Sequence, residues 1–235
     1  MPVKAQRKAP RGRKGAPAVT RTRRGIGRPP AGAQTVGREA LIAKTCELLR
    51  EIPPNQLTRA EVARRLQVDP SLIRYYFSNR GTLLLAALEQ LTSEFTHMFE
   101  QEMAKADGSA EGLLRARVAA MLRFEITYPF FHRLLLEEIV PLDSQAAVRF
   151  LDTLTKRAVS SYASIVKAGV DEGTFQPLDH AFLFLTVVGM CEFFVNGLPI
   201  LRIAQGKDLD EHVTGARYLE FVCKLLLDGL RVRSR

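Results

Sequence analysis

Helical periodicity is the feature of this sequence that most limits its fold. From about residue 110 to the end of the chain, apolar residues recur at the three- and four-residue spacing of α-helices, and no alternating strand pattern occurs. Glycine and proline interrupt this pattern and predict helices over residues 110–127, 129–140, 143–172, 178–204 and 211–231. We therefore predict an all-α protein whose C-terminal part is a helical bundle.

The N-terminal half predicts a smaller group of helices. An apolar stripe indicates a helix over residues 38–51, which ends before Pro53 and Pro54 because proline cannot continue a helix. A longer helix is predicted from about Thr82 to Lys105. Between these two, residues 57–76 fit a pair of short helices joined by a three-residue turn.

Start signals place the two short helices. Thr58 is expected to cap the first, with Glu61 three residues later completing a capping box. Asp69 and Pro70 are typical of the first residues of a helix and begin the second. A short helix pair of this kind is typical of a helix-turn-helix, whose second helix enters the major groove of DNA.

The second short helix carries polar side chains that packing does not require. Ile73 and Phe77 are expected to face the core, which leaves Arg74, Tyr75 and Tyr76 for the outside or its margin. Such side chains can reach base edges and phosphates in the major groove. The periodicity alone leaves a generic helix pair of an all-α protein equally open.

Basic charge is concentrated at the N-terminus. Residues 1–38 contain eleven Lys and Arg and no acidic residue, which leaves 23 basic against 25 acidic residues from Glu39 onward. A basic arm on a nearly neutral body indicates a polyanionic partner, most simply nucleic acid. The arm has the Gly and Pro content of a disordered segment and lacks the apolar run of a secretory signal. The alternative is a solvated leader with no role.

The segment from Leu57 to Tyr76, LTRAEVARRLQVDPSLIRYY followed by FSNRGTLL, resembles the helix-turn-helix of the TetR family of bacterial transcriptional regulators. The helix LIAKTCELL and the arm ending in Gly27-Arg28-Pro29 resemble the same family's N-terminal region. The chain departs from the family pattern at Gln67, where a turn glycine is usual, and at Arg74, where a tyrosine is usual.

The resemblance implies a division of the chain and a set of DNA-binding residues. It implies a disordered basic arm over residues 1–34, a DNA-binding domain over 35–80 and a regulatory and dimerisation domain over 81–235. Thr58 and Arg80 are expected to anchor phosphates. The candidate DNA-binding residues are Arg28, Thr58, Arg59, Ser71, Arg74, Tyr75, Tyr76 and Arg80.

Two apolar stripes on the last helix indicate a partner beyond its own bundle. One stripe contains Leu219, Val222, Leu226 and Leu230, and the other contains Tyr218, Phe221 and Leu225. The family's dimers use a four-helix interface, which implies a homodimer formed by the last two long helices. The candidate interface residues are Phe194, Leu219, Val222 and Leu226. The alternative is the central helix of a monomeric bundle.

Aromatic residues near the junction of the middle helices are candidates for an effector pocket, which the family resemblance implies. The sequence alone does not separate pocket lining from core. Glu192 lies in the most apolar stretch, residues 181–201, and needs a partner such as an arginine, a hydroxyl or a cationic ligand. The candidate ligand-binding residues are Phe124, Tyr128, Phe131, Phe150, Tyr162 and Glu192.

The sequence offers little for other classes of function. Its four histidines stand singly, its three cysteines are far apart, and no catalytic motif or phosphate-binding loop occurs, so no enzyme, metal or cofactor is expected. The stretch 181–201 is long enough to span a bilayer, but Glu192 near its centre opposes insertion and Gly197 with Pro199 is expected to break its second half. We expect a buried or interface helix there and no membrane association.

Together, these features predict a cytoplasmic, sequence-specific transcriptional regulator that associates with the nucleoid when bound to DNA. It is expected to be a homodimeric repressor that a small apolar effector releases from double-stranded operator DNA. The alternative is an architectural DNA-binding protein in which the arm binds any sequence and the body only dimerises.

Overall fold

A computed structural model describes residues 36–205 and 210–232, and these are almost entirely helical. An isolated bridge between Phe175 and Arg231 is the exception to the helical pattern. The predicted all-α class is confirmed. The helices are α1 (Arg38–Leu48), α2 (Arg59–Leu66), α3 (Pro70–Tyr76), α4 (Arg80–Met103), α5 (Ala110–Thr127), α6 (Phe131–Arg133), α7 (Gln145–Asp171), α8 (His180–Gln205) and α9 (Glu211–Leu230).

The first three helices and the beginning of α4 enclose one apolar core. Leu41 of α1, Val62 of α2, Ile73 of α3 and Leu84 of α4 are buried in it. Helices as short as α2 and α3 are marginal alone in water, so this shared burial is what stabilises them. Each buried side chain of this size contributes roughly 1.5–3 kcal/mol.

The rest of α4 joins a second core formed with the long C-terminal helices. Helix α5 lies in the middle of this bundle and packs on α4, α7, α8 and α9. Leu114 of α5, Tyr162 of α7, Val187 of α8 and Leu227 of α9 are buried in it. Because α4 contributes to both cores, it connects the helix-turn-helix to the bundle within one compact unit that begins at Val36.

Two predicted elements differ from the structure. The helix predicted over 129–140 is a single α-helical turn, α6, that continues as a π-helix over Leu134–Ile139. The predicted break at Gly197 and Pro199 is wrong, since α8 runs without interruption to Gln205. Gly197 and Leu198 are buried against the bundle, and this packing outweighs the backbone hydrogen bond that proline cannot donate.

Helix α8 is the one helix of the described ranges that is long and apolar enough to cross a membrane. Only 39% of its most apolar window is buried within the protomer. A large part of the apolar surface of α8 therefore faces away from its own bundle.

Candidate nucleic-acid interface and ligand cavity

The helix-turn-helix begins at the predicted caps. The Thr58 hydroxyl oxygen accepts a hydrogen bond from the amide of Glu61 at 3.1 Å, and the Asp69 carboxylate accepts one from the amide of Ser71 at 2.7 Å. Pro70 occupies the first position of α3. The predicted starts of both short helices are therefore confirmed, although the Glu61 carboxylate binds neighbouring arginines and does not complete the capping box.

At the turn between α2 and α3, glutamine adopts the left-handed backbone conformation for which the TetR-like pattern usually has glycine. Gln67 adopts φ 54° and ψ 39°, in the left-handed region, and its amide donates to the carbonyl of Arg64 at 3.2 Å. A residue with a Cβ in this conformation costs roughly 1–2 kcal/mol. The surrounding core therefore imposes the turn geometry on a residue that does not favour it.

Helix α3 presents an apolar side inward and a polar side outward. Ile73 is fully buried and Phe77 is 2% exposed, and both belong to the apolar core that α3 shares with α1, α2 and the beginning of α4. Arg74 is exposed and Tyr75 is 81% exposed, while Tyr76 is half-buried with its ring centroid 5.0 Å from that of Tyr75. Ser71 is exposed on the same helix. A tyrosine this open contributes little to packing within the protomer, so this surface is available to a partner.

Two other candidate DNA contacts have internal partners. The Arg59 guanidinium donates to the carbonyls of Phe77 at 3.3 Å and Ser78 at 3.1 Å, which ties α2 to the end of α3. The Arg80 guanidinium donates to the carbonyl of Leu57 at 2.8 Å and pairs with Glu138. The structure therefore gives no support to Arg80 as a phosphate anchor, because its donors face backbone carbonyls and a carboxylate. Arg28 lies outside the described residues.

Arg64 and Arg65 on α2 are exposed cations that the sequence analysis did not select. Both donate to the Glu61 carboxylate, at 2.6 Å and 3.0 Å, and hydrogen bonds from Arg64 and then Arg65 lower the pKa of Glu61 to about 2. Their i+3 and i+4 spacing from Glu61 was the signal in the sequence for this pairing. They place additional positive charge on the helix-turn-helix.

Two polar clusters connect the helix-turn-helix part, α1 to α3, to the bundle. In one, the Arg80 Nη1 atom lies 2.6 Å from a carboxylate oxygen of Glu138, which belongs to the π-helix. In the other, the Arg50 guanidinium donates to the Tyr128 hydroxyl at 2.9 Å, and that hydroxyl donates to Glu94. Tyr128 is thus a buried link between the end of α1 and α4. It lines neither of the two cavities described below, although it was predicted to bind a ligand.

The other aromatic candidates divide between core and cavity wall. Phe124 is 1% exposed, and its ring centroid lies 4.9 Å from Phe131 and 5.1 Å from Phe95. Phe124 and Phe131 line a small inner cavity of about 80 Å³, and Phe150 lines a larger outer one. Tyr162 is fully buried and lines neither.

The larger cavity lies between α4, α5 and α7 and has a volume of about 380 Å³. Apolar side chains form most of its wall, together with the hydroxyls of Thr92, Thr96, Thr153 and Ser161. Phe95 and Arg117 line both this cavity and the inner one, so the two are contiguous. A cavity of this volume is large enough for a small organic molecule.

Arg117 of α5 is the unexpected residue in the cavity wall. Only 4% of it is exposed, and its guanidinium lies over the rings of Phe99 at 4.6 Å, Tyr162 at 5.0 Å and Phe95 at 5.1 Å. Its Nε atom and the Tyr162 hydroxyl are buried without hydrogen-bond partners. Burial raises the pKa of Tyr162, although the charge of Arg117 opposes this effect. No acidic side chain pairs with Arg117 in the described part of the chain.

A buried acid–base pair borders the inner cavity. The His132 Nδ1 atom lies 2.8 Å from an oxygen of Glu125, which is 1% exposed. Burial raises the pKa of Glu125. Burial alone would lower the pKa of His132, but the hydrogen bond with Glu125 and the charges of Glu125 and Glu192 outweigh this effect, so the pKa of His132 is raised. The predicted acid Glu192 therefore lies close to this pair, at partial exposure on α8.

The candidate dimer residues prove to be mostly core. Phe194, Val222 and Leu226 are buried within their own bundle, and Leu219 is half-buried. The structure places these three side chains in the core of their own bundle, so it does not support them as the outer surface of a dimer, and their role in a dimer interface stays a prediction. The apolar side chains of α8 and α9 that are at least half exposed are Phe182, Leu185, Phe193, Ile200, Ile203, Val213, Phe221 and Leu225.

Comparisons with known proteins agree with this architecture. Residues 107–234 match the family described as tetracyclin repressor-like, C-terminal domain. The HTH-type transcriptional regulator BetI of Escherichia coli is 34% identical over 91 residues, which are 38% of this chain and 47% of BetI. The chain thus spans about half the length of the curated relatives it matches.

Solved structures show the same fold at low identity. A regulatory protein in the tetR family from Rhodococcus RHA1 has a TM-score of 0.59 at 19% identity, covering 80% of this chain and 95% of that one. A putative transcriptional regulator from Saccharomonospora viridis in complex with choline has a TM-score of 0.62 at 14% identity, covering 83% and 98%. Because the family match extends over more than half of its sequence, this protein belongs to the TetR family.

Proposed function

We propose that this protein is a sequence-specific DNA-binding transcriptional regulator, and that it acts as a repressor which a small molecule releases from its operator. The observation that carries this proposal is the outward surface of α3. Arg74, Tyr75 and Ser71 extend from a seven-residue helix that Ile73 and Phe77 fix to the core. Their proposed role is to contact base edges and phosphates in the major groove.

A two-fold dimer is the proposed assembly. The exposed apolar side chains of α8 and α9, including Phe193 at 68% and Phe221 at 62%, form a surface that a second copy can cover. A two-fold axis places two recognition helices on one face of DNA, and their spacing sets that of the operator half-sites. Operator binding by one protomer alone would be weaker because it lacks the second half-site.

Ligand control is proposed to act through the π-helix. Phe131 and His132 of α6 and Leu135 of the π-helix line the inner cavity, and Glu138 of the same π-helix holds Arg80 at the start of α4. A ligand that alters the position of this segment would move Arg80, and with it the helix-turn-helix to which Arg80 is hydrogen-bonded, relative to the bundle. The ligand weakens operator binding only to the extent that it prefers the helix-turn-helix position that does not fit DNA.

The experiment for DNA recognition compares Arg74→Ala with a matched variant. Arg149 of α7 is also an exposed arginine, so Arg149→Ala removes the same charge from the bundle. We expect Arg74→Ala to weaken operator binding by roughly 1–3 kcal/mol in an anisotropy titration, with Arg149→Ala close to the parent. Equal affinities of all three proteins for the operator would refute the assignment of α3.

A second candidate function rests on the basic arm. The eleven positive charges of residues 1–38 would suit an architectural protein that binds any DNA. Competition between operator and random DNA at matched salt separates the two functions, since counterion release alone gives no sequence preference. In both cases the proposed location is the cytoplasm, on the nucleoid when DNA is bound.

A further inference from the structure

Arg117 has the environment of a charge that lacks its counterion. It is 96% buried, its Nε atom has no hydrogen-bond partner, and the described residues bring no carboxylate to it. A buried cation is costly unless it is paired and hydrogen-bonded. Arg117 nevertheless belongs to the wall of both contiguous cavities.

Three aromatic rings provide part of the electrostatic stabilisation that a counterion of Arg117 would provide. The guanidinium carbon lies 4.6 Å from the ring centroid of Phe99, 5.0 Å from Tyr162 and 5.1 Å from Phe95, distances at which ring faces attract a cation. These ring faces attract the guanidinium charge, but such contacts do not replace a hydrogen bond to its Nε atom, which has no partner. The N–H donors at the edge of the Arg117 guanidinium therefore suit an acceptor group that presents two oxygens in one plane.

The rest of the cavity suits an apolar body with a few hydroxyl contacts. Phe150 and Leu154 line its apolar side, and the hydroxyls of Thr92, Thr96 and Ser161, which donate to backbone carbonyls of their own helices, remain able to accept a hydrogen bond. The other charged residues in its wall, Arg157 and Glu100, are both exposed, and Glu100 lies 3.5 Å from His97. Arg117 is thus the buried charge in this wall.

We infer that this cavity binds an apolar carboxylate, whose head pairs with Arg117 and whose hydrocarbon or aromatic body occupies the space beside Phe95 and Phe150. This inference deepens the proposed function, on which it rests for the idea that the ligand is an effector. It assigns a chemical class to the ligand and a single residue to the recognition of its charge.

The same arrangement opposes a cationic ligand. A ring of aromatic faces is the usual site for a quaternary ammonium group, and a solved structure of the same fold holds choline. In this chain, three such faces are already occupied by the guanidinium of Arg117. Arg117 would repel a second cation, and its guanidinium already covers the faces of the three rings that such a cation would contact.

The first experiment uses the full chain without DNA and three probes that share one aromatic body. Naphthoate, naphthamide and naphthyl-trimethylammonium differ only in the charge and shape of the head group. We expect naphthoate to bind roughly tenfold to a hundredfold more tightly than naphthamide in a calorimetric titration, the range for one charge-assisted contact. The ammonium probe should bind most weakly. Equal binding of the carboxylate and the amide, or tighter binding of the ammonium probe, would overturn the inference.

Variants at position 117 separate recognition from packing. Arg117→Met keeps the length and apolar contacts of the side chain, and replacing a buried charge by such a group is often tolerated. We expect it to bind naphthoate and naphthamide equally, while Arg117→Lys retains part of the preference for the carboxylate. Arg157→Gln, which removes the exposed cation from the same wall, should keep the full preference. If Arg157→Gln loses the preference for naphthoate over naphthamide while Arg117→Met keeps it, Arg117 is not the residue that recognises the carboxylate. If Arg117→Met does not fold, the Arg117→Lys and Arg157→Gln pair carries the same comparison.

Operator binding is then measured with each probe present. If naphthoate binds but does not release the operator, the inference that the cavity prefers a carboxylate stands, and the proposal that a ligand releases the protein from DNA is refuted. Operator release by the amide or ammonium probe in preference to the carboxylate would support ligand control and refute the role of Arg117.

Discussion

Adjacent leucines on α9 offer a direct test of which surface forms the dimer. Leu225 is 50% exposed, whereas Leu226 is 8% exposed and packs in the core of its own bundle. Leu225→Ala should therefore weaken association between protomers with little effect on the fold of each one. Leu226→Ala should destabilise the fold and affect association only as a consequence.

The structure sets the size of both effects. Full burial of a leucine contributes roughly 1.5–3 kcal/mol, so covering the remaining half of Leu225 contributes roughly 0.8–1.5 kcal/mol per protomer and twice that per two-fold dimer. Its truncation should therefore raise the dimer dissociation constant by roughly 15-fold to 150-fold. Leu226→Ala leaves a cavity in the core and should lower the free energy of unfolding by roughly 2–5 kcal/mol.

Two assays separate these outcomes. Sedimentation over a dilution series gives the dissociation constant, and urea unfolding at several protein concentrations separates subunit dissociation from unfolding of the protomer. The reasoning would be refuted if Leu225→Ala left the dissociation constant unchanged while Leu226→Ala separated the protomers without loss of stability. A parent protein that is monomeric at micromolar concentration would refute the dimer itself.

Other expectations concern the arm, the junction and the thiols. Removing residues 1–24, which carry nine positive charges, should weaken DNA binding and flatten its dependence on salt while the preferred sequence is kept; an unchanged salt slope would contradict this. Glu138→Gln leaves the Arg80 cation without its carboxylate and should lower the free energy of unfolding by roughly 1–3 kcal/mol in urea, whereas Glu137→Gln, at the adjacent exposed position, should have little effect. Burial raises the pKa of the three cysteine thiols, two to about 12 and one to about 11, so labelling by iodoacetamide at pH 8 should be slow until urea unfolds the protein. Rapid labelling of the folded protein would contradict the buried placement of Cys46, Cys191 and Cys223.

Local signals in the sequence were sufficient for much of the fold. Thr58, Asp69 and Pro70 determine helix starts through contacts with residues two or three positions away, so the sequence predicts them well. The inward placement of Ile73 and Phe77 follows from helical spacing in the same way. The π-helix and the continuous α8 depend on packing against distant helices, which periodicity does not contain.

The site was less predictable because its geometry depends on residues far apart in the chain. Both stripes of α9 are apolar, so the pattern could not distinguish Leu226, which faces the core, from Leu225, which faces outward. Arg117 has the appearance of one surface arginine on an amphipathic helix. Its three aromatic contacts come from α4 and α7, and no local spacing signals them. Tyr128 likewise finds its partner Arg50 across 78 positions of sequence.

Selection of genomic DNA fragments by the full-length protein, followed by footprinting, tests the central claim most directly. The protein should enrich a defined sequence and protect two half-sites related by a two-fold axis, with centres about one helical turn, roughly 34 Å, apart. Tyr75→Ala should lose this protection, since 81% of that side chain is free to contact DNA in the unbound protein. Uniform protection without enrichment, with an affinity determined only by salt and the basic arm, would contradict sequence-specific regulation and favour an architectural protein.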